Sequence, residues 1–290
     1  MKPYKIKLGA FLLASCLSFP ACANWVQQLS LASSKKHFIQ PSADEAVRAQ
    51  VLFLRLLKND NSEEVKSSWA ALGFDLVNDA ESGLTLLIEQ PTQRRGRGFF
   101  AFRKAKASAL QIPHSFKDEM TREIGITLFQ KGSFSAAAWN TVPRNFILNG
   151  VSIDADMAHL TDTYFIAFSR AFAQLYPQGN ILQLHGFEQG KRRNEAAKEA
   201  AAILSNGTRI PPPVLRDIAT CLAKGTGANI LSYPYDVHEL GATTNTIAAA
   251  LRQEGFDKFF HLEMSRDFRT ELQKNVALQK MLLHCFTSAP

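Results

Sequence analysis

From Leu110 onwards, short apolar runs alternate with longer segments that carry apolar residues at helical spacing. This alternation constrains the fold more than any other feature of the chain. Strands joined by helices bury both faces of a sheet best as a layered α/β domain with a largely parallel sheet. The predicted strands cover 110–113, 136–140, 180–184, 229–233 and 259–264. The predicted helices cover 118–129, 158–175, 194–200, 214–224, 244–254 and 267–283. Residues 201–204 read either as an extension of a helix or as a strand before the turn Ser205-Asn206-Gly207. Upstream, helices are expected at 43–58 and 63–72, and strand-like runs at 84–89 and 99–102. In such sheets a ligand site lies beyond the carboxyl ends of the strands, so those ends are where chemistry is sought.

Three strand ends carry residues that an apolar sheet does not need. The run Gln111-Ile112-Pro113 delivers His114, with Asp118 four residues later at a predicted helix start. The run Ile181-Leu182-Gln183-Leu184 ends in His185, and Gly186 allows close backbone approach. The third, Phe259-Phe260-His261-Leu262-Glu263-Met264, places Glu263 in an otherwise apolar strand end, where an unpaired carboxylate would be costly. Two histidines and one carboxylate form a common catalytic zinc set, with water in the fourth position. A further carboxylate held on another strand can then serve as general base. Asp118, Glu119 and Glu123 are the candidates for the ligand carboxylate. His37, His238 and His284 lack comparable strand-end surroundings.

The order strand–His–x3–Asp, strand–His–Gly, then a late strand carrying Leu-Glu before an Arg-containing helix resembles a known group. It is similar to the zinc-dependent carboxypeptidase and amidohydrolase superfamily, particularly the N-formylglutamate amidohydrolases, poly-γ-glutamate hydrolases and zinc amidases of peptidoglycan. The likeness runs from about Leu110 to the C-terminus, and residues 24–95 have no counterpart. It implies one three-layer α/β domain of the zinc-exopeptidase type with a single zinc ion. His114 and Asp118 would match the first ligand pair, commonly His-x-x-Glu, here one residue longer and with Asp. His185 would match the second histidine and Glu263 the catalytic glutamate. Asn140 and Arg144, spaced rather than adjacent as in the group, would meet a substrate carboxylate. Asp156, read as the N-cap of the 158–175 helix, and His159 would line the pocket, with His159 also open as an alternative ligand. Asn245 opens a helix whose free backbone N–H groups suit an anion, and Arg269 would hold Glu263 or a substrate carboxylate.

The remaining features concern compartment and partners. Lys2, Lys5 and Lys7, the apolar stretch from Leu8 to Leu17 and Ala21-Cys22-Ala23 read as a signal peptide over 1–23. Leu13-Ala14-Ser15-Cys16 is the rival reading, a lipoprotein anchored through Cys16, and an uncleaved anchor is the third. All three imply an exported protein, expected to be periplasmic or secreted. Cys221 and Cys285 would then either pair or remain buried thiols. The division expected is a signal over 1–23, a helical extension over 24–95 and the hydrolase domain over 96–290. The 290 residues carry a formal charge of +7, which falls to +4 without the three signal lysines. Six basic residues between Arg94 and Lys106, with Phe99, Phe100 and Phe102 among them, form the one local patch. With export, this patch points to an anionic substrate or the cell envelope rather than nucleic acid. No G-x-S-x-G, P-loop or G-x-G-x-x-G occurs. The expected function is zinc-dependent hydrolysis of an amide or peptide bond in a small peptide-like or anionic substrate, with Glu263 as base. A non-catalytic peptide or glycan binder on the same fold and a zinc esterase or deacetylase are the alternatives.

Overall fold

The computed structural model describes residues 24–33 and 37–287. The signal segment and Cys16 lie outside the described residues. Helices α1 (Trp25–Ala32), α2 (Ala43–Leu57) and α3 (Glu63–Ala71) precede strands β1 (Phe74–Asp79), β2 (Leu84–Glu89) and β3 (Phe99–Phe102). Then follow β4 (Lys106–Ile112), α4 (Thr121–Lys131), β5 (Phe134–Trp139) and a small hairpin, β6 (Asn145–Leu148) with β7 (Val151–Asp154). After α5 (Tyr164–Leu175) come β8 (Asn180–Gly186), α6 (Glu195–Glu199), β9 (Ala202–Ser205), α7 (Val214–Thr226) and β10 (Ile230–Ser232). The chain closes with α8 (Thr246–Gln253), β11 (Phe259–Met264), α9 (Arg266–Lys274) and α10 (Val276–Thr287).

One nine-stranded sheet runs in the order β1-β2-β3-β5-β4-β8-β11-β9-β10. Its centre, β5-β4-β8-β11, is parallel. Both flanks turn antiparallel, where β3 meets β5 and where β9 meets β11. Helices cover both faces, giving the expected three-layer α/β architecture. Residues 24–95 supply α1, α2, α3 and the outer strands β1 and β2 of this same sheet.

The period-2 alternation of strands decides which residues meet. On β11, Phe260, Leu262 and Met264 join the apolar layer under α1, α4, α7, α9 and α10. Phe259 joins the opposite layer, under α2, α3, α5 and α8. His261 and Glu263 therefore share the face of Phe259. By the same alternation Gln111 faces that way on β4, as do Gln183 and His185 on β8, with Gln111, Gln183 and His261 in one cross-strand file. This face is apolar at the amino ends of the central strands and polar at their carboxyl ends, and that polarity places the site.

Several local expectations change. The helix predicted from 158 begins at Tyr164, capped by Thr163, whose hydroxyl accepts from the Ile166 N–H. Asp156 is thus not its N-cap; its carboxylate accepts from the Ala158 N–H in a preceding turn and faces His114. The helix predicted from 118 starts at Thr121, because the His114 carbonyl accepts from the Lys117 and Asp118 N–H groups in a tight turn. The closing helix divides at Asn275, whose side chain accepts from the N–H groups of Ala277 and Leu278 and starts a new helix. Residues 201–204 fall in strand β9. Of the basic run, Arg97 is buried, donating to both carboxylate oxygens of Glu45 at 2.9 and 3.1 Å. Arg103 donates to the carbonyls of Phe129, Gly132 and Phe134, and Phe99, Phe100 and Phe102 are buried in the sheet. Two members of that run therefore serve the fold. Cys221 and Cys285 form a disulfide linking α7 to α10.

Candidate metal centre

His114 follows β4, His185 ends β8 and Glu263 lies near the end of β11, so three adjacent parallel strands aim these side chains at one cavity of about 300 Å³. Asp118 enters from the turn after His114 and is buried. Its Oδ2 stands 3.5 Å from His114 Nδ1 and 3.4 Å from His185 Nδ1. The longer of these exceeds ordinary hydrogen-bond reach, and His114 Nδ1 is buried without a hydrogen-bond partner. Three donor atoms thus face one another within 4.8 Å. Glu119 instead meets Arg266 at the exposed surface and Glu123 is exposed on α4, so of the three candidates Asp118 is the one facing the histidines.

The far side of each imidazole explains this orientation. His114 Nε2 lies 2.7 Å from Asp156 Oδ1, and His185 Nε2 lies 2.9 Å from Gln183 Oε1. Both partners are acceptors here, because the Gln183 oxygen also receives the Asn245 side-chain N–H at 2.7 Å. Each ring therefore keeps a proton on Nε2 and turns Nδ1 toward the centre. Outward partners that fix the tautomer in this way are a regular feature of histidine metal ligands. The amide network continues: Gln183 Nε2 donates to Gln111 Oε1 and Gln111 Nε2 to Ser169 Oγ. Asn245 itself caps α8, accepting from Ile247 and Ala248.

Burial and the neighbouring charges set the protonation of these groups. Burial opposes a charge on His114, but Asp118 and Asp156 outweigh it and push its pKa up to about 9. Asp118 is buried too, yet His114 and His185 hold its carboxyl well below the usual range. Burial pulls His185 down to about 4, so it is neutral at physiological pH. Burial, reinforced by the Asp118 charge, pushes Glu263 up to about 8. Glu263 Oε2 is buried without a hydrogen-bond partner, while its Oε1 lies 3.8 Å from His261 Nε2.

The remaining candidates divide. Arg144 and His159 line the cavity, and Arg144 Nε is 3.8 Å from Asp156 Oδ2. Asn245 lines it as well, but its amide is held by Gln183 and the helix start. Arg269 is buried beside an adjoining cavity of about 380 Å³, its Nη1 donating to the Met264 carbonyl. Asn140 is not at the cavity. Its oxygen accepts from the Ser115 N–H and hydroxyl and its nitrogen donates to the Val142 carbonyl, so it braces the turn that carries His114. Two residues lay outside the sequence reading. His261, buried, packs its ring 4.3 Å from that of His185 and meets Ser205 Oγ at 3.2 Å. Its signal was its place two residues before Glu263, hence on the same face. Gln183 stands two residues before His185 in the same way.

No family model and no curated protein matches this sequence. Among solved structures, the chain is similar to an N-formylglutamate amidohydrolase of Ralstonia eutropha JMP134, at 13% identity and a TM-score of 0.41, covering 67% of this chain and 98% of that one. A bacteriophage poly-gamma-glutamate hydrolase matches at 11% identity and a TM-score of 0.38, over 66% and 86% of the two chains. A gene product of Agrobacterium tumefaciens matches at 13% identity and a TM-score of 0.41, over 64% and 92%.

Proposed function

We propose that this protein is an exported, zinc-dependent hydrolase of an amide or peptide bond. The observation that carries the reading is the pair of imidazoles turned with Nδ1 toward the Asp118 carboxylate, each locked from behind by a hydrogen-bond acceptor. His114, Asp118 and His185 would hold one ion; two nitrogens and one carboxylate oxygen suit zinc and leave a position open. When bound, the ion would polarise the scissile carbonyl and make a water acidic. Glu263 is the residue that can accept that proton. It reaches the same cavity, and its unpaired oxygen is free to do so.

The chain's own residues supply the rest. The walls at the carboxyl ends of β4, β8 and β11 exclude bulk water on one side, and Arg144 at the rim can meet a substrate carboxylate. In the adjoining cavity Lys191 and Arg266 are paired with Glu188 and Glu119, while Lys117 and Arg144 add positive charge that fits a peptide-like or anionic substrate. The disulfide fits an oxidising compartment, in keeping with a signal over 1–23 and a periplasmic or secreted location. The test is metal content and turnover together. Purified protein should carry close to one zinc per chain, and His185→Ala should lose it. Glu263→Gln should keep the metal and lose amide hydrolysis by at least about 100-fold. Metal-free wild-type protein whose composition is unchanged by His185→Ala, or full turnover in Glu263→Gln, would overturn the reading.

A further inference from the structure

The cavity holds a second group able to carry a proton, at the opposite end of the polar row from Glu263. Across the sheet that row runs from His114 after β4, through His185 on β8, to Glu263 on β11. Asp156 and His159 stand beyond His114. Asp156 Oδ1 lies 2.7 Å from His114 Nε2 and 3.1 Å from His159 Nδ1, so one carboxylate oxygen serves both rings. Its other oxygen is 3.8 Å from Arg144 Nε. His159 Nε2 in turn meets Thr244 Oγ1 at 3.2 Å, and His159 and Thr244 both line the cavity.

This geometry fixes what His159 can do. With Nδ1–H directed at Asp156, the working nitrogen is Nε2. A hydroxyl donates or accepts, so Thr244 satisfies Nε2 in either protonation state. The His159 side chain is 47% exposed, whereas those of His114, His185 and His261 are nearly fully buried. It is the cavity imidazole that can exchange protons with solvent between turnovers.

We propose that His159 is a catalytic residue, the group that protonates the departing nitrogen; the proposal rests on the hydrolytic reading above. The water oxygen bonds to the carbonyl carbon while its proton passes to the Glu263 carboxylate. The C–N bond breaks, and the electron pair left on nitrogen takes the proton from His159 Nε2. Asp156 remains ionised throughout and steadies the imidazolium through Nδ1–H. Afterwards Glu263 releases its proton to solvent and His159 regains one, so the sum is water plus amide giving acid plus amine. Two groups at opposite ends of the row thus divide the proton removal and proton delivery that a single carboxylate would otherwise perform in sequence.

The test exploits the leaving group, because an amine must be protonated to depart whereas p-nitrophenolate need not be. Zinc-loaded wild-type, His159→Ala, His159→Gln and Glu263→Gln proteins would be compared on N-acetyl-L-glutamate and p-nitrophenyl acetate, which share the acetyl group. Loss of a general acid should lower kcat on the amide relative to the ester by about 100-fold or more in both His159 variants. Their zinc content and melting temperature should match wild type, and Glu263→Gln should slow both substrates. Equal losses on both substrates, no loss on either, or zinc missing from the His159 variants would each overturn the proposal. Wild-type protein that turns over neither substrate would reject the hydrolytic reading itself, before any His159 variant is compared.

Discussion

At the residue scale, the centre is defined by which ring nitrogen each histidine leaves free. In the metal-free protein at neutral pH, His114 carries an extra proton, since its pKa lies near 9, while His185 is neutral and Asp118 ionised. A cation can bind His114 only after that proton leaves Nδ1. Burial, the larger cause, and the Asp118 charge hold Glu263 near 8; a cation bound beside it offsets that charge and favours the carboxylate, so Glu263 should ionise as well. Zinc uptake at pH 7 should therefore release about two protons per ion, falling to about one in Glu263→Gln. Calorimetry in buffers of different ionisation enthalpy measures this directly; uptake without proton release would contradict the arrangement. Because His114 gains its proton as pH falls, affinity should weaken progressively below pH 9. Gln183 acts one step behind. Gln183→Leu removes the acceptor that orients His185 and, on the proposed assignment, should weaken zinc binding about 10–100-fold with His114, Asp118 and His185 intact, measurable by competition with a chelator. His114, Asp118, His185 and Glu263 were legible in the sequence because each breaks the apolar character of a strand end. Gln183 and His261 were not singled out, since a glutamine or histidine inside an apolar strand carries no chemical signature until the partner strands align it. The role of Asn140 was hidden for a related reason: only the fold shows that Ser115 and Val142 take up its whole amide.

At the element scale, the site depends on how closely β8 and β11 end together. Gly186 pairs in register with Met264, and its N–H donates to Asp118 Oδ2 at 3.1 Å. A Cβ at Gly186 would lie 2.2 Å from Arg269 Nη1, the nitrogen that donates to the Met264 carbonyl. Gly186→Ala must displace this buried guanidinium and with it the hydrogen bond to the end of β11. We expect a loss of stability of about 1–3 kcal/mol and weaker metal binding, read by thermal melting and metal competition; an unaffected melting temperature would show that Arg269 yields without cost. The central strands were readable because parallel strands buried on both faces are continuous apolar runs. The β6–β7 hairpin was not, since its exposed Ile147, Leu148 and Val151 resemble a buried run although the hairpin stands apart from the main sheet. The start of α5 was misplaced because Asp156 looks like an N-cap until His114 is seen to engage it.

At the scale of the whole molecule, the segment before Leu110 closes the face that holds the site. Helix α2 packs with α5 in the layer over Phe100 and Phe168, around the fully buried ring of Phe53. Arg97 ties this layer to the sheet through Glu45 and the Ile39 carbonyl. Arg97 is 2% exposed and Glu45 19%, so Arg97→Ala leaves a partly buried carboxylate with only the more distant Arg95, at 3.8 Å, as a cationic partner. The cost should fall near the low end of about 3–5 kcal/mol, with the zinc site unchanged in the protein that remains folded; a loss below about 1 kcal/mol would mean that the pair contributes little. Sequence composition places positive charge at this turn but does not reveal that the fold consumes Arg97, because only the tertiary structure brings Glu45 from 52 residues away.

All three scales meet in one claim, that His114 Nδ1, Asp118 Oδ2 and His185 Nδ1 hold a single zinc. A crystal structure of zinc-loaded protein with anomalous data at the zinc edge tests it most directly. One ion is expected, with both Nδ1 atoms at roughly 2.0–2.1 Å and the Asp118 oxygen at roughly 2.0–2.2 Å. Asp156 and Gln183 should remain on the outward nitrogens. An ion seated instead between Asp156 and His159, or no ion at these three residues, would contradict it.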